Sequence, residues 1–88
     1  MISNQILQNT IEGLKGITRI DFCVMDTDGK PLASTMTEQE NYEEEVLAFV
    51  DSPADSQVVR GYQFFNIFEE HQLEYVLLAN GGSHDVYM

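Results

Sequence analysis

The chain has 88 residues, enough for one modest core and too few for two independent domains. Fifteen acids stand against Lys15, Arg19, Lys30 and Arg60, and the resulting formal charge of −11 repels phosphate backbones and anionic membranes, so neither is an expected partner. A hydrophobic share of 43% is nevertheless sufficient for a core, which argues against an intrinsically disordered chain.

Cys23 is the only cysteine, which rules out an internal disulfide and a Cys-x-x-Cys motif and fits a reducing cytosol. No apolar run approaches the roughly 18 to 20 residues that cross a bilayer, and the amino terminus lacks the basic start and apolar block of a secretory signal.

Ser3 or Asn4 can cap a first helix, predicted over residues 3–15, on which Ile2, Ile6, Leu7, Ile11 and Leu14 recur at helical spacing and which Gly16 is placed to end. From Thr18 to Asp26 the period switches to two. Ile20, Phe22 and Val24 point one way and Arg19, Asp21, Cys23 and Met25 the other, as in a strand. Asp26-Thr27-Asp28-Gly29-Lys30 is turn chemistry, with Gly29 free to take a positive φ, and Pro31 to Thr35 then returns as a short edge strand.

Thr37 and Glu40 have the spacing of a capping box ahead of a second helix, expected from Glu38 to Val50, with Tyr42, Val46, Phe49 and Val50 on one face. Gln57 to Phe68 and Leu73 to Ala79 read as a second, longer hairpin of two strands, or three with a split. Ser83 or Asp85 can cap a third helix that starts with Val86, Tyr87 and Met88 as the sequence stops, so the domain is expected to be a piece of a longer protein. The fold class expected is α+β, an antiparallel sheet of about four or five strands with two helices, profilin-like or PAS-like.

Asp26 and Asp28 resemble the opening of a calcium loop, but the glycine comes fourth and Thr37 stands at the twelfth position, so a plain turn is expected. His71 and His84 lie in polar turns with no second histidine at ligand spacing, and Cys23 reads as a packed thiol. Adjacent acids Glu43, Glu44 and Glu45 fan outward from a helix rather than facing each other across a pocket. No catalytic set assembles, so neither an enzyme nor a cofactor is expected.

One polar cluster, Ser52, Asp55, Ser56 and Arg60 with Tyr62, is the candidate lining of a small-molecule pocket. Phe64, Phe65, Ile67 and Phe68 put apolar side chains on both faces of one strand and are the candidate partner interface.

The run Val24-Met25-Asp26-Thr27-Asp28-Gly29-Lys30-Pro31-Leu32-Ala33-Ser34-Thr35 after an amphipathic helix resembles the opening of the amino-terminal sensor domains of sugar-diacid and purine-catabolism regulators of the CdaR/PucR type. The later stretch from Ser52 to Tyr87 is similar to such regulators in Clostridium-like bacteria. The resemblance implies a transcriptional regulator whose amino-terminal domain senses a small metabolite and whose DNA-binding part lies elsewhere. The alternative reading is a homodimerisation module that transmits a signal without a ligand.

Overall fold

The computed structural model describes residues 3–36, 41–59 and 61–80. The order is α1 (Asn4–Thr18), β1 (Phe22–Met25), β2 (Pro31–Ser34), α2 (Glu43–Val50), β3 (Ser56–Val59), β4 (Tyr62–Glu69) and β5 (Gln72–Ala79). This is the expected α+β class. The third helix expected from Ser83 onward and the capping box at Thr37 and Glu40 lie outside the described residues.

Ser3 is the N-cap of α1, its Oγ accepting a hydrogen bond from the Ile6 N–H at 3.2 Å. The helix does not stop at Gly16. It runs to Thr18, whose Oγ1 donates to the Leu14 carbonyl at 2.7 Å, and Arg19 ends it in the left-handed region with its N–H on the Lys15 carbonyl. A glycine inside a helix costs only about 1 kcal/mol, too little to end one that other contacts support. The first strand is correspondingly shorter than the alternating pattern suggested. At the second helix, Asn41 Oδ1 accepts from the Glu43 N–H at 2.8 Å, and the described helix begins there.

The five strands form one antiparallel sheet in the order β2-β1-β5-β4-β3. The Gln57 to Phe68 run is split: Val59 and Tyr62 pair directly, and Gly61 in the turn takes φ +83°. Glu70 and His71, both at positive φ, make the tight turn between β4 and β5.

Each face of the sheet carries a helix. Tyr42, Val46 and Phe49 from α2 and the residue before it pack on Cys23, Met25, Phe64, Val76 and Leu78. Ile11 of α1 packs on Phe22, Val24, Ala33, Tyr75 and Ala79 on the opposite face. The period-two reading of Ile20, Phe22 and Val24 against Cys23 and Met25 therefore divides the two cores correctly, and β1 is buried at all four positions because both its faces are covered. Tyr42 and Phe49 meet Phe64 edge-to-face at ring separations of 6.3 and 5.7 Å, and Tyr42 meets Tyr62 at 5.3 Å. Each fully buried side chain of this kind contributes about 1.5 to 3 kcal/mol.

Candidate interaction surface

The polar turn after α2 is occupied by its own chain. Ser52 Oγ donates to the Phe49 carbonyl at 2.8 Å and accepts from the Ala54 N–H at 3.3 Å, closing the end of the helix. Asp55 is exposed, and its carbonyl accepts from the Asn66 N–H at 3.2 Å, while Asn66 Nδ2 donates to the Ala54 carbonyl at 3.1 Å. Ser56 is exposed at the start of β3, and Tyr62 is half-buried in the aromatic cluster. Arg60 lies outside the described residues. Ser52, Asp55, Ser56 and Tyr62 thus follow one another along a turn and a strand pair.

The β1–β2 turn is equally self-contained. Asp26 Oδ1 accepts from the N–H groups of Asp28 and Lys30, each at 2.9 Å, and the backbones of Asp26 and Lys30 pair across it. A carboxylate used in this way holds a hairpin together. A shallow hollow of about 300 Å³ lies beside it, between Gly29, Lys30 and Pro31 and the start of α2. Cys23 is buried under α2, and burial pushes its thiol pKa up while a hydrogen bond with Ser34 pulls it back. A thiol held protonated is a poor nucleophile.

The four hydrophobic residues of β4 divide by face. Phe64 is 0% exposed beneath α2 and belongs to the core of this chain, so it offers nothing to a partner. Phe65 is 38% and Phe68 55% exposed, and Ile67 is half-buried beside the α1-side core. Phe65 pairs with Ser56, and Val58 pairs with Gln63. These four residues share the α1 side of the sheet, since Phe64, Tyr62 and Val59 pack with the α2 side. Val58 is 57% exposed there. α1 itself packs on β1 and β2, which leaves the β4 and β3 half of that face uncovered among the described residues.

The two edges of the sheet are treated differently. At β2, Gln8 of α1 presents its carboxamide to Ser34 as a neighbouring strand would. Nε2 donates to the Ser34 carbonyl at 2.8 Å, and Oε1 accepts from the Ser34 N–H at 3.0 Å. Pro31 opens the same strand without an N–H, so this edge is blocked. At β3 the sequence Ser56-Gln57-Val58-Val59 has neither a charge nor a proline.

The hairpin register determines which β3 groups are free. Val59 closes a two-residue turn with Tyr62, and the Asp55 carbonyl bonds to the Asn66 N–H. Residues 55, 57 and 59 therefore direct their backbone groups to β4, and Ser56 and Val58 direct theirs outward, by the alternation of an antiparallel ladder. Neither Gln8 nor Val58 stood out in the sequence. The available signal for β3 was a short run lacking charge and proline, which gains meaning only once the strand is known to be an edge.

No protein-family model, curated protein or solved structure matches this chain. Among the described residues no helix is long and apolar enough to cross a membrane.

Proposed function

We propose that the chain is a homodimerisation module whose two copies join their β3 strands edge to edge. The observation that carries this reading is the contrast between a β2 edge closed by Gln8 and Pro31 and a β3 edge with outward backbone groups and no protecting charge. A two-fold axis through Gln57 pairs Ser56 of one copy with Val58 of the other and turns two five-stranded sheets into one of ten strands. The exposed Val58 side chain then lies opposite Ser56 of the other copy and diagonal to its Val58, with Phe65 of that copy one strand behind Ser56 on the same side of the sheet, and this adds apolar area to the backbone hydrogen bonds.

The metabolite-sensor reading draws less support from this geometry, because Ser52 is engaged within the chain and Tyr62 lies in the aromatic cluster. The resemblance to sugar-diacid and purine-catabolism regulators suggests a use for the dimer, which is to bring two copies of an attached domain together.

Analytical ultracentrifugation at about 50 μM tests the proposal, a concentration at which a micromolar dimer is mostly assembled. The wild type is expected to sediment as a dimer. Val58→Pro removes an outward N–H without touching a β3–β4 hydrogen bond and is expected to be a folded monomer by circular dichroism, whereas Val58→Thr keeps the N–H and the dimer. A monomeric wild type, or a Val58→Pro protein as dimeric as the wild type, would refute edge pairing.

A further inference from the structure

The α1 side of the sheet holds a second apolar feature that edge pairing does not use. A groove of about 170 Å³ runs along α1, walled by Ile6, Thr10 and Leu14 and floored by Val24, Leu77 and Ile67. Its wall residues Ile6 and Leu14 are large and exposed, and Ile17 continues the same outer stripe of the helix at 83% exposure. Residues 6, 10, 14 and 17 are spaced for one helical face, and α1 gains nothing from an apolar stripe there unless something covers it.

The dimensions indicate what fits. α1 lies over β1 and β2 and its Ile11 also packs on Tyr75 and Ala79 of β5, so the strip left open is that of β4 and β3, about 10 Å wide at the usual strand spacing. Packed helices stand about 8 to 10 Å apart, so one further helix fits alongside α1 on that strip.

The charge of the occupant follows from the surroundings. None of the groove residues is charged. Beyond Ile67, β4 leads into Glu69 and Glu70, and Glu74 follows on β5, so three acids belong to the β4–β5 hairpin of a chain of formal charge −11, against which Lys15 follows Leu14 on the groove wall. A helix with an apolar stripe and a basic outer face matches both features, and an acidic helix would be repelled.

We propose that this groove is the docking site for a cationic amphipathic helix from a partner protein. The proposal does not depend on β3 pairing and can be tested in the folded Val58→Pro chain as well as in the wild type. The probe is a synthetic peptide of about 18 residues, five helical turns, with leucines on one face and lysines on the other. Two controls accompany it, one with glutamate in place of lysine and one with the lysine sequence scrambled.

Fluorescence anisotropy is expected to detect binding of the lysine peptide alone, with NMR shifts concentrated at Ile6, Thr10, Ile67 and Leu77. Thr10 is exposed, so Thr10→Arg leaves the fold intact while filling the groove with a like charge, and it is expected to weaken binding about tenfold or more. Equal binding of the scrambled peptide, shifts outside the groove or indifference to Thr10→Arg would overturn the proposal. Nuclear Overhauser contacts from Val86 or Tyr87 to the Ile67 and Leu77 methyls in the peptide-free chain would identify its own residues as the occupant and overturn it as well. So would groove shifts that appear on raising the concentration of the Val58→Pro chain alone, which would make a second copy the occupant.

Discussion

At Gly29 the backbone takes φ +86°, and a β-carbon there would stand 2.7 Å from the Glu43 Cα. The turn of the first hairpin and the start of α2 thus meet with no room for a side chain. Gly29→Ala is expected to cost about 2 to 4 kcal/mol, combining the left-handed strain with the displacement of a helix backbone, as read by urea denaturation. The turn's need for glycine was legible in the sequence, but the contact with Glu43 was not, because the two residues are brought together only by the docking of α2.

Asp21 ties the end of α1 to the sheet. Its Oδ1 accepts from Lys15 Nζ at 2.7 Å and from Thr35 Oγ1 at 2.9 Å, and the Thr35 hydroxyl oxygen in turn accepts from the Phe22 N–H. The Lys15 hydrogen bond and then that from Thr35 hold the Asp21 carboxyl below its ordinary range. A carboxylate whose folded pKa lies below its unfolded value adds stability above the unfolded value and loses it as pH falls through the folded one. The gap in melting temperature between wild type and Asp21→Asn is therefore expected to be widest near neutral pH and to close below about pH 4.

Among the elements, α1 has a double role: it covers half of one sheet face through Leu7 and Ile11 and protects the β2 edge through Gln8. Gln8→Ala removes two half-buried hydrogen bonds from Ser34 and is expected to cost about 1 to 3 kcal/mol. It also exposes a second strand edge, so the variant is expected to form species larger than a dimer in a sedimentation experiment. The helical spacing of Ile6, Leu7, Ile11 and Leu14 marked an apolar side of α1, but only Leu7 and Ile11 of these pack on the sheet, and Ile6 and Leu14 are exposed. The clamp was not readable, since Gln8 and Ser34 are 26 residues apart and a glutamine on a helix carries no local mark of its partner.

On the scale of the whole molecule, the dominant quantity is the formal charge of −11. Two copies joined through an uncharged β3 edge still repel through the rest of their surfaces, and salt weakens that repulsion over a screening length of about 8 Å at physiological ionic strength. Dimer affinity is therefore expected to rise as sodium chloride is raised from about 20 to 500 mM, which sedimentation equilibrium can follow. A docked cationic helix responds in the opposite sense, so salt distinguishes the two interactions.

The periods of the sequence, 3.6 in the helices and 2 in the strands, were enough to determine the α+β class, the β1–β2 and β4–β5 hairpins, and the division of Phe22 and Val24 from Cys23 and Met25. They were enough because a side chain's direction follows from local backbone geometry. Tertiary structure alone decided what covers each face. Phe64 is core and Phe65 is surface because α2 lies over one side of β4 and α1 stops short of the other. It also decided which strand is a closed edge and which an open one, because strand order depends on pairings between residues far apart in the chain, and that order is what turns the unremarkable run Ser56-Gln57-Val58-Val59 into the candidate seam.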